Sequence, residues 1–269
     1  MSVIEPDKIS DMLIAAADEF ILPRYNTLSN HQISTKTGPN DLVTQADLDV
    51  ENYLKRVLPE ALPGSVFIGE EGVSNGDVSL DALNDSSQPV WIADPVDGTF
   101  NFVHGRREFA VMLGLVIGGK TQYGWIYDVL GGEVTVAEEG AGAFCDGVRL
   151  EVTQVKEASE MVGHISAKYF PQEYRAHINV QRESFKDCRT IGCAAHEYLR
   201  VAKGQAQFSV YSRLKPWDHI PGALIVREAG GAVTAWDGKA YKPQDFDKGI
   251  VVTANDNDGW KDILDIFMP

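Results

Sequence analysis

The run Trp91-Ile92-Ala93-Asp94-Pro95-Val96-Asp97-Gly98-Thr99 places two carboxylates around a proline and ahead of a glycine, at the end of an apolar stretch. Pro95 has no N–H to give a sheet and biases Asp94 toward an extended conformation, so a strand starting at Val90 is expected to end at Asp94. Asp97-Gly98 then turns the chain, and both carboxylates can address one point with the Val96 carbonyl between them. Two carboxylates and a carbonyl are hard oxygen ligands of the kind Mg2+ takes. Gly98 and Thr99 would add backbone N–H groups in a tight turn, which suits a phosphate oxygen. Asp-Pro and Asp-Gly are good turn formers in their own right and need no ligand. The continuation through Asn101-Phe102-Val103-His104-Gly105 is more than a turn requires.

Three other acidic segments compete with bland readings. Phe67-Ile68-Gly69-Glu70-Glu71-Gly72 ends another apolar strand. Adjacent glutamates on a loop are ordinarily just solvated, but one strand ahead of the aspartates Glu70 becomes a candidate metal ligand, with Glu71 expected to point the other way. Trp217-Asp218-His219-Ile220-Pro221-Gly222 opens a helix, where an aspartate can be no more than a cap favoured by the helix dipole. Asp41-Leu42-Val43-Thr44-Gln45-Ala46-Asp47 puts Asp47 in a first helical turn, and a capping interaction with Thr44 is the plain reading. His104 and His219 stand near these segments, but imidazole is a softer ligand than Mg2+ prefers, so structural roles are expected.

These groups need elements to carry them. Apolar residues at Ile9, Met12, Leu13, Ala16, Phe20 and Ile21 recur at helical spacing and predict a helix over 7–22. A second helix is predicted from Thr44, its N-cap, to Leu58, with Val50, Leu54, Val57 and Leu58 along one side. The stretch from Gly72 to Pro89, rich in Ser, Asn, Asp and Gly, reads as a loop. Short β-branched or aromatic runs at 66–69, 90–94, 110–117, 121–127 and 133–137 read as strands, with a hairpin at Gly118-Gly119. Beyond that the pattern alternates: strand 161–165, helices 171–182 and 194–203, strand 207–210, helix 218–229, strands 232–236 and 249–253, helix 256–267. Strands bunched first and then mixed with helices argue for layered sheets and helices.

The chain has 269 residues, enough for one large domain or two closely packed halves, divided roughly at residue 150. Its formal charge is −15, with 39 acidic against 24 basic residues, so its surface repels a phosphate backbone and no nucleic-acid partner is expected. An anionic substrate on such a chain needs something cationic in its site, and a divalent metal among clustered carboxylates would serve. The longest apolar candidate, Phe109 to Gly119, is shorter than the ~18 residues a bilayer requires, so no membrane span is expected. No basic region followed by an apolar core opens the sequence, so no signal peptide is expected. Three cysteines, Cys145, Cys188 and Cys193, argue against a disulfide framework and fit a reducing cytoplasm.

Taken in order, the four segments resemble the inositol monophosphatase family over nearly the whole chain. The matching residues are Gly69-Glu70-Glu71, Asp94 to Gly105, Trp217-Asp218 through Gly222, and Glu228-Ala229-Gly230-Gly231. The resemblance implies an α+β fold, a layered α-β-α-β-α sandwich, assembled as a homodimer. It implies a phosphoric monoester hydrolase with two or three Mg2+ ions held by Glu70, Asp94, the Val96 carbonyl, Asp97 and Asp218, and sensitivity to lithium. Thr99, linked to Asp47, matches the position that polarises the attacking water, with Glu70 as its partner. Phosphate and substrate contacts map to Asp97, Gly98, Thr99, Gly192, Cys193, Ala194, Tyr211 and Asp218. A phosphate monoester repels hydroxide and has a poor leaving group, and divalent ions answer both problems without a serine or cysteine nucleophile. Cys193 is therefore read as a small residue packing near the site.

The chain departs from the family on the alcohol side. Cys193 stands where a threonine or serine is usual, and Tyr211 stands where, counting back from Asp218, an acidic residue contacts sugar hydroxyls. A phenol accepts hydroxyl protons more weakly than a carboxylate. Arg213 or Lys215, if either faces the pocket, would favour a second anionic group. Pro221 replaces the usual alanine and is expected in a first helical turn, where proline is tolerated. Asn101 to Gly105 favours inositol monophosphate over the related substrates fructose 1,6-bisphosphate, histidinol phosphate and nucleotide 3′-phosphate, while Tyr211 weakens that preference. A regulatory or scaffolding protein that keeps the fold and metals is the reading from another class. Such a protein would be expected to lose some of Glu70, Asp94, Asp97, Thr99 or Asp218, and all five are present.

Overall fold

The computed structural model describes residues 4–36, 38, 42–85, 87–246, 249–256 and 259–268. Its first helix, α1 (Pro6–Ala16), continues through a π turn at Ala17–Ile21 and a 3-10 turn at Leu22–Arg24. The expected helical stretch is thus present, with a change of hydrogen-bond pattern halfway. Two short strands missed in the sequence, β1 (Ile33–Thr35) and β2 (Leu42–Thr44), pair antiparallel. They lead into α2 (Gln45–Ala61), whose N-cap is Thr44 as expected. Asp41 lies outside the described residues.

β3 (Val66–Gly69), α3 (Glu70–Ser74), β4 (Val90–Asp97), α4 (Thr99–Val103), β5 (Ala110–Ile117), β6 (Lys120–Asp128), β7 (Glu133–Glu138), β8 (Gly142–Cys145) and β9 (Val148–Arg149) follow. The strands form one sheet in the order β3-β4-β5-β6-β7-β8-β9, in which only β3 and β4 are parallel. The β5–β6 hairpin turns at Gly118 and Gly119, both at positive φ (59° and 75°), as that pair predicts. β4 corrects the expectation that Pro95 stops the strand: it runs on to Asp97. Asp94 faces Met112 and Asp97 faces Ala110, so one extra residue is absorbed in a bulge at Pro95-Val96. A bulge leaves an unpaired backbone position, which is where a proline can sit inside a sheet.

The second half contains β10 (Val162–Ile165), α5 (Gln172–Gln181), β11 (Asp187–Cys188), α6 (Ala194–Ala202), β12 (Phe208–Tyr211), α7 (Pro216–Glu228), β13 (Ala232–Ala235), β14 (Val251–Ala254) and α8 (Gly259–Phe267). Its sheet has the order β11-β10-β12-β14-β13. The last strand starts two residues later than expected, and α8 starts at Gly259, with Asn257 and Asp258 outside the described residues.

The layers follow from which face each run buries. Ile9 and Leu13 of α1 and Leu54 of α2 share a core with Trp91, Leu113 and Trp125 on one face of the large sheet. The alternate residues Ile92, Met112 and Ile126 point to the other face, against Tyr198 of α6 and Leu224 of α7. That same core takes in Val233 and Val251 of the second sheet. Phe208 and Val252 pack outward against Ile178 of α5 and Phe267 of α8. The result is an α-β-α-β-α sandwich. Among the described residues, no helix is long and apolar enough to cross a membrane.

α7 is the interior helix, and Pro216, Trp217 and everything from His219 to Val226 are buried. It begins at Pro216, so Pro221 is not in its first turn but inside the second, where the missing N–H leaves the Trp217 carbonyl without its helical partner. This wall of the helix lies close against β6. A Cβ built on Gly124 would stand 2.7 Å from the Pro221 carbonyl oxygen and 3.0 Å from its Cα. Both neighbours are backbone and have no rotamer to give. Gly124→Ala is expected to lower stability by about 1–3 kcal/mol, read as a drop in the urea midpoint at unchanged slope.

Candidate active site

β3 and β4 run parallel and end side by side, which delivers Glu70 and Asp94 to the same edge of the sheet. Glu70 opens α3, and that short helix is held from outside by Glu51 of α2. Glu51 accepts the N–H of Glu71 at 2.8 Å and of Gly72 at 2.7 Å. Gly69 makes room for this clamp, because a Cβ there would lie 2.2 Å from the Glu51 carboxyl carbon. Asp218 arrives from the third residue of α7, at the end where the helix dipole favours an anion.

Oxygens of Glu70, Asp94 and Asp218 lie within 4.8 Å of one another. Burial raises the Asp94 carboxyl well above its usual range, and the charges of Glu70, Asp97 and Asp218 add to it. Asp218 is raised in the same way, by burial and then by Asp97 and Glu70. Its carboxyl is within hydrogen-bond reach of Asp94, a contact that two ionised carboxylates cannot make. Such a crowd is stable only with protons or cations among it.

Asp97 stands just outside the trio. Its Oδ2 accepts the Ala195 N–H at 2.6 Å and the Cys193 thiol at 3.0 Å, tying it to the start of α6. Burial raises its carboxyl, and these bonds oppose the shift. Cys193 is 2% exposed and lines the cavity beside Asp97. Gly98, at φ 87°, has no room for a side chain: a Cβ would stand 2.8 Å from the Glu108 carbonyl oxygen. Asn101 explains part of the remaining run, donating to the carbonyls of Glu108 at 2.8 Å and Ile191 at 3.0 Å. It thereby fixes the loop that carries Gly192, Cys193 and Ala194 against α4. His104 stacks on Phe100 at 4.0 Å between ring centroids, and its Nδ1 lies 2.7 Å from the Phe100 carbonyl oxygen.

The Thr99 hydroxyl lies 2.9 Å from the Val96 carbonyl oxygen and 3.2 Å from Asp47 Oδ1. The other Asp47 oxygen accepts the Thr44 N–H at 2.8 Å and the Thr44 hydroxyl at 2.6 Å. The capping reading and the link to Thr99 therefore hold together, one on each oxygen. Burial lifts Asp47 to about 6 against the pull of Thr44.

Sequence reasoning missed Lys36. Its Nζ bridges Glu70 Oε1 at 2.8 Å and Glu71 Oε1 at 2.6 Å. Burial works against the Lys36 charge, but the two glutamates overcome it and hold the ammonium above its usual range. Glu71, expected to point away, is 3% exposed and shares this lysine, and burial together with Glu70 lifts it to about 8. Glu51 and Lys36 act over long sequence distances and leave no local pattern. Glu197, buried with Oε1 accepting from the Thr190 hydroxyl at 2.8 Å and the Ile191 N–H at 3.0 Å, could have been noticed as an acid in the first turn after Gly192-Cys193.

A cavity of about 210 Å3 collects these groups. Glu70, Asp94, Val96, Asp97, Gly98, Thr99 and Asp218 line it with Gly192, Cys193, Ala194 and Tyr211. Asp47 and Lys215 do not, while Arg213 does. Tyr211 differs from a simple polyol contact. Its ring is stacked on Tyr198 at 5.1 Å and tilted against His219 at 4.7 Å between centroids. His219 is structural: burial holds it neutral, at about 4, with Nε2 2.8 Å from the Arg213 carbonyl oxygen and Nδ1 3.0 Å from the Tyr198 hydroxyl. A carbonyl can only accept, so Nε2 carries the proton and Nδ1 accepts from Tyr198.

The sequence model of the inositol monophosphatase family matches residues 5–264. Inositol-1-monophosphatase of Bacillus subtilis is 34% identical over 221 residues, covering 80% of this chain and 81% of that protein. Human inositol monophosphatase 1 is 34% identical over 229 residues, covering 83% and 80%. The fructose-1,6-bisphosphatase/inositol-1-monophosphatase of Thermotoga maritima is 32% identical over 207 residues, covering 77% and 76%. Among solved structures, a Thermotoga maritima IMPase superposes with a TM-score of 0.82 at 28% identity over 96% of both chains. The extragenic suppressor protein SuhB of Bartonella henselae gives 0.82 at 28% identity over 97% and 98%. With the layered fold and its converging acidic segments already in place, these matches establish that the chain belongs to the inositol monophosphatase family.

Proposed function

We propose that the chain is a Mg2+-dependent phosphatase that hydrolyses a small phosphate monoester of a polyol, with inositol monophosphate as its reference substrate. The observation that carries this reading is the meeting of Glu70, Asp94 and Asp218, from three separate segments, beside the Thr99–Asp47 pair. The donor set fits Mg2+: it is all oxygen, largely buried, and too crowded to stay ionised alone. Glu70, Asp94, the Val96 carbonyl, Asp97 and Asp218 would hold two or three such ions. When bound, Mg2+ supplies Lewis acidity, which lowers the pKa of water and neutralises charge on the phosphoryl and leaving oxygens.

The chain's own residues do the rest. Gly98 and Thr99 line the place where the phosphate would lie. The Thr99 hydroxyl can receive a proton from the attacking water while passing its own to Asp47 Oδ1 at 3.2 Å. Asp47, near 6, holds a proton more readily than an ordinary aspartate, and Thr44 keeps it aimed. Lys36 holds Glu70 in place from behind. Homodimer assembly, lithium sensitivity and a cytoplasmic location extend the same family reading to this chain.

Phosphate release from inositol 1-phosphate and glycerol 2-phosphate should require Mg2+ and fall in Li+. No release from any monoester in a broad panel would favour the scaffolding alternative. Asp94→Asn is expected to lower kcat at least about a thousandfold by removing a shared ligand, and near-normal turnover would remove Asp94 from the mechanism. A melting-temperature scan gives a second check on the site. Without divalent ions, Asp94→Asn should melt at or above the wild-type temperature, because one carboxylate has left the crowd. Added Mg2+ should raise the wild type and leave the variant nearly unchanged.

A further inference from the structure

Resting on the metal-dependent reading above, we infer that Glu51 is a positioning residue for Glu70, setting metal affinity by tying α3 to the same helix that holds Thr99. Glu70, Glu71 and Gly72 are the first three residues of α3, and Gly69 is its N-cap. An N-cap side chain ordinarily accepts from the second or third N–H of its helix. Gly69 has no side chain, and both N–H groups go instead to Glu51, one to each carboxylate oxygen, at 2.8 Å and 2.7 Å. The cap of α3 is therefore supplied by α2, from 20 residues upstream. The Gly69 backbone does not call for glycine, since its φ of −112° and ψ of 156° are open to any residue. What excludes a side chain there is Glu51 itself. The three atoms nearest a Cβ built on Gly69, at 2.2, 2.2 and 2.7 Å, all belong to the Glu51 side chain.

A serine or aspartate at position 69 would serve the same N–H groups locally, so capping alone does not account for a glutamate on another helix. The remote cap adds a positional tie. Glu51 follows Asp47 by one turn of α2, and residues four apart share a helix face. Asp47 reaches the Thr99 hydroxyl at 3.2 Å, and Glu51 reaches the backbone next to Glu70. One helix thus holds both the hydroxyl proposed to polarise water and the carrier of a candidate metal ligand. The helix is itself fixed, because Val50, Leu54 and Leu58 are fully buried in the core that contains Trp91. Lys36 meets the Glu70 side chain, whereas Glu51 sets the backbone that bears it. Outer groups that orient a metal ligand change metal affinity about ten- to a hundredfold when they are removed.

The test measures binding of Mn2+ alone to the full chain, without ester, from the loss of the free-ion EPR signal. Mn2+ takes the same oxygen donors as Mg2+. Glu51→Gln keeps the side-chain volume but turns an amide NH2 toward one of the two N–H groups. Its Mn2+ dissociation constant should rise about tenfold or more, and in metal-free protein the Glu71 and Gly72 amides should exchange hydrogen faster than in the wild type. Phe267→Leu, a core change in the outermost layer, should lower the melting temperature and leave Mn2+ affinity unmoved. The decisive variant pairs Glu51→Ala with Gly69→Ser, which removes the remote clamp and supplies a local cap. Relative to Glu51→Ala alone, its melting temperature should recover and its Mn2+ affinity should not. Recovery of both would reduce Glu51 to a cap and overturn the inference, as would wild-type Mn2+ affinity in Glu51→Gln. Phosphate release in Mg2+ is scored apart. Clamp-dependent Mn2+ affinity without turnover sinks the phosphatase reading and keeps the positioning role, while Mg2+-dependent turnover with unchanged affinity in Glu51→Gln does the reverse.

Discussion

Negative charge packed into a small buried volume is the constraint on which this structure turns. Asp94 and Asp97 are 3% and 8% exposed, and Glu70 and Asp218 converge on Asp94. Asp94 and Asp218 are lifted by their own burial first and by neighbouring carboxylates second, and Asp97 by its burial, so full ionisation of these three together is unfavourable. A protein tolerates such an arrangement where external cations complete it. The same pressure accounts for Lys36, which supplies a permanent internal cation on the Glu70 side. On a chain of net charge −15, an anionic ester would need a cation among these carboxylates before it could dock there.

The scaffold is built to hold this repulsion. The acidic residues sit at the ends of elements whose other residues are deep in the core: Trp91 and Ile92 behind Asp94, Ile220 and Leu224 behind Asp218. α7 has no solvent face to slide along, and Gly124 lets it lie directly on β6. The anchors are apolar burial on both faces of the large sheet, an interaction that ion binding does not alter. The far side of the cavity is drawn from different material, the connections after β10, before α6 and after β12, so its lining can change without disturbing the acidic cluster.

The candidate acidic residues were legible in the sequence because their grouping is local. Asp94, Val96 and Asp97 lie within one turn, Thr44 and Asp47 within one cap, and the layered fold followed from strands bunched ahead of alternating elements. What it hid was pairwise and distant. Glu51 holds α3 from 20 residues upstream, and Lys36 reaches Glu70 across 34, so neither leaves a periodic trace. The short helices α3 and α4 span five residues each, too few for periodicity to show. Pro95 and Pro221 misled for a common reason: a local rule for proline was applied, while a bulge took up the missing N–H in β4 and α7 began early enough to carry Pro221 in its second turn.

The bulge at Pro95-Val96 has one more consequence, a matter of parity. On a regular strand, residues an odd number apart face opposite sides, so Asp94 and Asp97 would be split between the cavity and the core. One additional residue converts the odd interval into an even one, and both side chains come to the same side of the sheet. The spacing of the two aspartates and the irregularity in β4 are thus a single feature. Straightening β4, so that Pro95 and Val96 each took a regular ladder position, would keep the same residues in the chain yet turn one of the two aspartates inward.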